Sequence, residues 1–383
     1  MGSEIEDYTV KIRRYIHAHP ELSFKEEKTS EFIVTELKKM GLKPVRIAGT
    51  GVYADVLGEG KGKTVAVRAD IDALPVQEAN KLEYKSLNKG VMHACGHDAH
   101  TAMVLGLAKK LTSQKIKFGG TIRVFFQPAE ENPPGGAIKM IEDGLLNNVD
   151  YVIGQHVDSR LQSGFVGYRA GPVSANSDTF YIKIKGKGGH GSMPERGIDA
   201  IYVAAQFVVM LQSIISRILS QTSASTITVG TFNGGYRHNV LADRVDLSGT
   251  VRTISDEERD KAKRSIENIM NGLKAAYGID YEYIYEYGYP VMINDSYVTS
   301  ILKEEAENLI GKDHVIEVNQ ALGGEDFGYY LQHRKGTFYR LGISNKEKGI
   351  IAPNHSPEFN IDEAALQMGV CLLLKVALRL TES

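Results

Sequence analysis

Residues 63–75 read KTVAVRADIDALP, and residues 120–131 read GTIRVFFQPAEE. Both begin as β-rich runs, and both run out into a pair of carboxylates: Asp70 and Asp72 in the first, Glu130 and Glu131 in the second. A third run, DYVIGQHV (150–157), ends on His156. Helical patterns lie between them. EEKTSEFIVTELKKMG (26–41) is amphipathic and stops at Gly41, a residue suited to a helix C-terminus, and HTAMVLGLAKKL (100–111) is a second helix. Alternation of this kind specifies an α/β sheet covered by helices. In such sheets ligands sit at the carboxyl ends of strands, so Asp70, Asp72, Glu130, Glu131 and His156 are expected to converge.

Working outward, the pattern changes between residues 173 and 289. DTFYIKIKG (178–186) alternates as a strand, and a long helix follows from Ile198 to about Leu219. STITVGTFNGG (225–235) and RVDLSGTVRT (244–253) are strands, DEERDKAKRSIENIMNGLKAAYG (256–278) is a charged helix, and DYEYIYEYG (280–288) is a last strand. Asp256 and Glu257 suit the helix dipole at its first turn. The order β-α-β-β-α-β is the split βαβ motif of a ferredoxin-like domain. From Pro290 onward the helix and strand signals of the first part resume. The simplest architecture is a small domain, 173–289, inserted into a larger one made of 1–172 and 290–383. A length of 383 residues also suits two domains better than one.

Composition narrows the function classes. Apolar residues make up 42% and charged residues 24% of the chain, ordinary values for a globular protein. A net charge of -2 calls for no nucleic acid or anionic membrane as partner. The two cysteines, Cys95 and Cys371, are too few for a four-cysteine zinc ribbon or a disulfide framework. They fit a reducing compartment, and MGSEIEDYTVKIRR at the start lacks the apolar core of a signal peptide, so a cytoplasmic location is expected. IYVAAQFVVMLQSIISRIL (201–219) approaches the length of a membrane span, but Gln206, Gln212, Ser213, Ser216 and Arg217 interrupt it. A helix buried in a domain or subunit interface is the expectation.

The chemistry concentrates in HACGHDAH (93–100), where His93, Cys95, His97, Asp98 and His100 fall within eight residues. Cys95 and His97 can serve one ion or two neighbouring ions, and thiolate with imidazole suits zinc and similar divalent metals. Against this stands a histidine-rich helix N-terminus held only by hydrogen bonds. Adjacent Glu130 and Glu131 at a strand end can point to different tasks, one to metal and one to a proton; the alternative is a solvated turn. His355 lies in the proline-bracketed loop APNHSPEF (352–359), and His190 in the glycine-rich GKGGHGSMPE (186–195). A thiolate, three imidazoles and two carboxylates suffice for a two-metal site with one general base to spare.

The motifs RADIDALP, MHACGHDAHTAMVLG, FQPAEE, GQHV, GKGGHGS, GTVRT, GGEDF and NHSPEF occur in this order across nearly the whole chain. With them the sequence resembles the zinc-dependent aminoacylase/carboxypeptidase family, and within it the amidohydrolase branch of hippurate hydrolases, N-acyl-amino-acid amidohydrolases, auxin-conjugate hydrolases and thermostable archaeal carboxypeptidases. The resemblance implies a mixed-sheet α/β, zinc-exopeptidase-like catalytic domain carrying an inserted ferredoxin-like lid and dimerisation domain. It implies two divalent ions per subunit, zinc first, with cobalt, manganese or nickel as alternatives. Cys95 would bridge them, with His97, Glu131, His156 and His355 as the other ligands. Glu130 would be the general base, and Asp72 the acid that orients a ligand, with Asp70 and His100 nearby. His190 matches a lid histidine that reaches across a dimer to the substrate oxyanion. Asn239 and Arg252 resemble positions near the substrate carboxylate, and Gly323 and Gly324 the substrate loop. The implied reaction is hydrolysis of N-acyl amino acids or of the last peptide bond of short peptides, by a homodimer or dimer of dimers joined through the lid.

Some positions depart from the branch: Glu195 stands where histidine is frequent, Ala242 where proline is usual, Gln155 and Ser159 are atypical, and Gly324 replaces a serine or alanine. These bear on substrate choice and leave the proposed ligands intact. Two rivals compete with the metallohydrolase. A cysteine amidase would use Cys95 as nucleophile and His97 as base, at an awkward spacing and without an evident third group. A structural zinc protein would close its site with four ligands, fewer than this chain offers.

Overall fold

The computed structural model describes residues 4–383, which form two compact units. The first comprises the chain up to Val173, Ile293–Asn319 and Asp326–Ser383; the second comprises Ser174–Met292 and Gln320–Glu325.

The first unit is built on an eight-stranded mixed sheet. Its order is Val45–Ile47, Gly51–Leu57, Thr121–Gln127, Thr64–Asp70, Tyr151–Gln162, Lys335–Ser344, Val166–Tyr168 and Val315–Glu317. The four central strands run parallel, and antiparallel neighbours flank them. Val65 to Asp70 are buried without a break, as expected of a parallel strand covered on both faces. The helices Glu4–Ala18, Glu27–Lys39, His97–Ser113, Ser296–Ile310 and Ala364–Thr381 contribute Ile12, Leu37, Leu105, Leu302 and Leu373 to one core with the sheet's Val67, Val124 and Ile153.

Register decides what meets at the carboxyl ends. Asp70 pairs with Gln127, and Arg68 pairs with Gly154. Two residues further on, Asp70 and His156 therefore lie level. The residues following Asp70 and Gln127 leave the sheet from the same edge, so Asp72 and the Glu130–Glu131 pair start from adjacent points.

The second unit runs strand Asn176–Lys185, helix Ala200–Ser213, strand Thr226–Gly234, strand Arg244–Thr253, helix Asp256–Tyr277 and strand Asp280–Tyr289. The sheet is antiparallel, ordered 226–234, 244–253, 176–185, 280–289, the split βαβ arrangement. Asp199 caps the first helix and Ser255 the second; Gly278, left-handed at φ 72, ends it. Phe180, Phe207, Ile266 and Met270 fill the space between helices and sheet.

Two helical stretches, Ala200–Ile218 and Ala364–Thr381, have the length and hydropathy of membrane spans. The second is a core helix of its unit. The first, expected to be buried in a domain or subunit interface, covers its own unit with one face only. Val203, Phe207, Leu211 and Ile214 face the core, whereas Ile201, Tyr202, Val209 and Met210 are exposed, Val209 at 68%. A ferredoxin-like helix covers its sheet with one stripe only, so an apolar sequence on all sides leaves the outer stripe bare.

Fully buried Asp178 anchors the second unit. It accepts from Arg259 Nε at 2.8 Å, Tyr285 Oη at 2.7 Å and the Gly288 amide at 3.0 Å. Asp178→Ala strands the Arg259 guanidinium, and we expect it to cost about 3–5 kcal/mol, read as a lowered urea midpoint. A loss below about 1 kcal/mol would show that Arg259 does not depend on this carboxylate.

Candidate metal centre

Cys95 and His97 flank Gly96, which is left-handed at φ 90 and passes so close to the Tyr151–Gln162 strand that a Cβ would stand 2.3 Å from Val157 Cγ2. Only glycine permits both the conformation and the approach. It seats Cys95 against His156, with Sγ 3.4 Å from Nε2, and starts the His97–Ser113 helix. His156 faces the Val157 carbonyl through Nδ1 at 2.7 Å. A carbonyl only accepts, so that nitrogen carries the proton, and Nε2 turns its lone pair toward the thiol.

His97 is oriented in the same way. Its Nδ1 meets the Asp72 carbonyl at 2.9 Å and Asp72 Oδ1 at 3.2 Å. Asp72 is itself held by Ser23 Oγ at 2.7 Å and the Glu131 amide at 3.0 Å. Nε2 of His97 then lies 3.9 Å from Glu131 Oε1 and 4.0 Å from Glu130 Oε2. His355, left-handed at φ 68, donates its amide to the Ala94 carbonyl at 2.7 Å and brings Nε2 to 3.3 Å from Glu131 Oε1. Asn354 ties the same loop to the Cys95 carbonyl at 3.3 Å.

The ligand atoms fall into two triads, Cys95/His97/His156 and Cys95/Glu131/His355, each within 4.8 Å. Cys95 belongs to both. A third set, His97/Glu130/Glu131, places the second carboxylate beside the first triad.

Other residues of the opening motifs have framework tasks. Asp70 binds His100 Nδ1 at 2.6 Å and Arg68 at 2.7 Å, and His100 Nε2 accepts the Val157 amide at 2.9 Å. Both nitrogens of His100 are thus engaged. Buried Arg68 continues to Asp326 at 3.0 Å. Asp98 joins Arg13 and His17, each at 2.8 Å, and so ties the first helix to the third. His93 is fully buried, and burial pushes its pKa down to about 4, so its imidazole is neutral.

The electrostatics separate the imidazoles. Burial opposes charge on His97, but Asp70, Asp72 and Cys95 outweigh it and hold its pKa well above the ordinary value. Burial drives His156 well below, aided by His100 and Arg340. Cys95 and Glu131 push half-exposed His355 up to about 10. Burial raises the Cys95 thiol, and Glu131 adds to this. The pocket therefore favours positive charge beside Cys95 and Glu131.

A cation fits these donors. His97 Nε2 is buried without a hydrogen-bond partner, a costly condition that a ligated ion relieves. Thiolate, imidazole and carboxylate together suit a borderline-soft divalent metal.

The remaining sequence candidates belong to the second unit. His190 is exposed on a short two-stranded ladder with Val240, and its Nδ1 accepts from Ser192 Oγ at 2.8 Å. The Asn239 carbonyl accepts the Gly191 amide at 2.9 Å, next to His190. Half-buried Arg252 pairs in register with Ser177. Gly324 packs on the same Ser177, where a Cβ would come within 3.0 Å of its Cβ, and Gly323 accepts the Ala175 amide at 3.2 Å. That tight packing is a physical reason for glycine at 324, and it gathers Arg252, Gly323 and Gly324 around one serine.

Residues 66–379 match peptidase family M20/M25/M40. The thermostable carboxypeptidase 1 of Saccharolobus solfataricus is 42% identical over 96% of this chain and 93% of its own length. An N-acyl-L-amino acid amidohydrolase of Geobacillus stearothermophilus is 46% identical over 76% of this chain and 79% of its own. The crystal structure of Bacillus subtilis YxeP, described as a dinuclear metal-binding peptidase of the M20 family, superposes with a TM-score of 0.86 at 33% identity, covering 98% of each chain.

The close approach at Gly96 is open to a direct check. In Gly96→Ala, left-handed strain of about 1–2 kcal/mol adds to overlap with Val157. We expect a total of about 2 kcal/mol or more, measured by chemical denaturation. Val157→Ala in the same chain should restore the overlap part alone; a neutral Gly96→Ala would refute the tight contact.

Proposed function

The chain belongs to peptidase family M20/M25/M40, whose members hydrolyse amide bonds, and we propose that it cleaves N-acyl amino acids or the last peptide bond of short peptides with two divalent cations. The observation that carries this reading is the membership of Cys95 in both ligand triads. Cys95 would help to hold both ions, one together with His97 and His156 and the other together with Glu131 and His355. The names of the carboxypeptidase and amidohydrolase relatives support the substrate class, and the description of YxeP supports the ion pair. Zinc leads among the candidate metals, with cobalt, manganese and nickel able to use the same donors.

When bound, the cations supply Lewis acidity and bring the pKa of a water toward neutrality. The side chains do the rest. Glu130, 7% exposed beside His97, accepts the proton of the attacking water and passes it to the departing nitrogen. Asp72 holds His97 by Nδ1, so the ring cannot rotate away from its task. His190 of a second copy, reaching across the dimer, donates to the oxyanion that forms at the scissile carbonyl. Arg252 and Asn239 receive the substrate carboxylate, and the loop of Gly323 and Gly324 shapes the place where it sits. The exposed apolar stripe of Ile201, Tyr202, Val209 and Met210 is the surface through which two copies pair. Both cysteines are free, which supports a cytoplasmic setting.

A cysteine amidase has one observation in its favour: the Cys95 thiol stands 3.4 Å from His156, whose far nitrogen is held by a carbonyl. Burial opposes the thiolate–imidazolium pair that such an enzyme needs, since the thiol is raised and the imidazole lowered. Cys95→Asp separates the two, because aspartate can ligate a metal but cannot replace a thiol nucleophile.

Metal analysis of the loaded protein should return two ions per chain, and His355→Ala should return one. A single ion in the wild type would overturn the paired site. In steady-state assays on N-acetyl, N-benzoyl and benzyloxycarbonyl amino acids and short peptides, Glu130→Gln should keep its metal and lose about 10²–10⁴-fold in kcat. His190→Ala should lose about 10²–10³-fold. Unchanged turnover in either variant removes the role assigned to that residue.

A further inference from the structure

Glu26 is a fully buried carboxylate just ahead of the Glu27–Lys39 helix. Its Oε1 accepts two backbone amides, Phe24 at 2.9 Å and Ala129 at 2.9 Å, and its Oε2 accepts Thr50 Oγ1 at 2.7 Å. These partners are two amides and a hydroxyl, none of them a cation. Asp72, the charge that acts on it, is negative, and burial raises its pKa. A carboxylate buried in this way is expensive, and an apolar side chain would be the cheaper filling.

What the carboxylate holds supplies a reason for keeping it. Phe24 at φ 62 and Ala129 at φ 53 are both left-handed without being glycine, and both donate to the same oxygen. Ala129 directly precedes Glu130 and Glu131. Its left-handed turn at the end of the Thr121–Gln127 strand sets the course of the two carboxylates that follow. The Glu131 amide goes to Asp72 and its carboxylate lies between His355 and His97, while Glu130 approaches His97. The segment before Glu26 is stitched to the other half of the site as well. Ser23 Oγ donates to Asp72, and the Ala73 amide donates to the Glu21 carbonyl at 2.8 Å.

We propose that Glu26 is a positioning residue for the general base: by gripping the Ala129 amide it sets the direction in which Glu130 leaves the strand. The inference rests on Glu130 being the base. It requires a side chain that reaches both amides with an acceptor, and it does not require charge. Glutamine keeps the reach and gives up the charge, with its amide nitrogen able to donate to the Thr50 oxygen. Aspartate keeps the charge and gives up one methylene of reach.

The test compares wild type, Glu26→Gln, Glu26→Asp and Glu130→Gln as metal-loaded full-length enzymes, with kcat, KM, metal content and melting temperature measured for each. Glu26→Asp should lose about 10–100-fold in kcat with KM and metal content unchanged, and Glu26→Gln should stay within about threefold of wild type. Glu26→Asp at wild-type kcat, or Glu26→Gln impaired as badly as Glu26→Asp, overturns the proposal. Loss of metal in step with kcat overturns it too, because the role would then lie with the ligands. Wild-type turnover that survives Glu130→Gln overturns the base assignment and this inference together. Turnover that depends on Glu130 but ignores Glu26→Asp overturns this inference alone.

Discussion

The first unit depends on parallel pairing in a fixed register. With Asp70 opposite Gln127 and Arg68 opposite Gly154, two strands end level beside His156 of the third, and the segments that follow Asp70 and Gln127 start from one edge of the sheet. A shift of one residue would turn each side chain to the other face of the sheet and scatter the cluster. The shift is resisted because both faces are buried, so any slip exposes apolar surface or buries a charge. The site is in this sense a by-product of core packing, and its precision is that of the core.

A second layer converts that placement into usable chemistry. Asp72 and the Val157 carbonyl each take the Nδ1 side of a histidine and leave Nε2 for the centre. Asp70, Arg68 and Asp326 form a buried chain of alternating charge behind it, and His100 is bonded to its Asp70 end. Such networks add little net stability but allow few alternative arrangements, because any broken link strands a buried charge. Three of the left-handed non-glycine residues, Phe24, Ala129 and His355, belong to the segments that surround the cluster. Strain collected there is tolerated because the amides of these residues donate to Glu26 and to the Ala94 carbonyl, which over-determines the backbone.

The second unit shows what a sequence pattern leaves undetermined. Its β-α-β-β-α-β order was readable from alternation and helix caps, and the strand order follows that motif. The stretch 201–219 was too uniformly apolar to reveal which stripe would face the sheet. Only packing assigned Phe207 and Leu211 to the core and left Val209 exposed. Gly324 likewise reads as a departure from its relatives until Ser177 and Tyr289 are seen to occupy the space of its missing side chain.

By itself the sequence determined the element types, the family, and the short ordered motifs that carry Cys95, His97, Glu130, Glu131, His156 and His355; it assigned all of 290–383 to the larger domain, whereas residues 320–325 pack with the second unit. These are local properties, set by periodicity, caps and residue chemistry within a few positions of each other. Tertiary structure decided which of the five polar side chains in HACGHDAH face the cluster: Cys95 and His97 do, whereas Asp98 and His100 brace the framework and His93 is buried as a neutral ring. It also decided that Glu26, which reads as one more acid at a helix start, is buried against a turn 103 residues further along the chain. Partnership across such distances depends on register and on chain reversal at strand ends, and neither is encoded in the spacing of nearby residues.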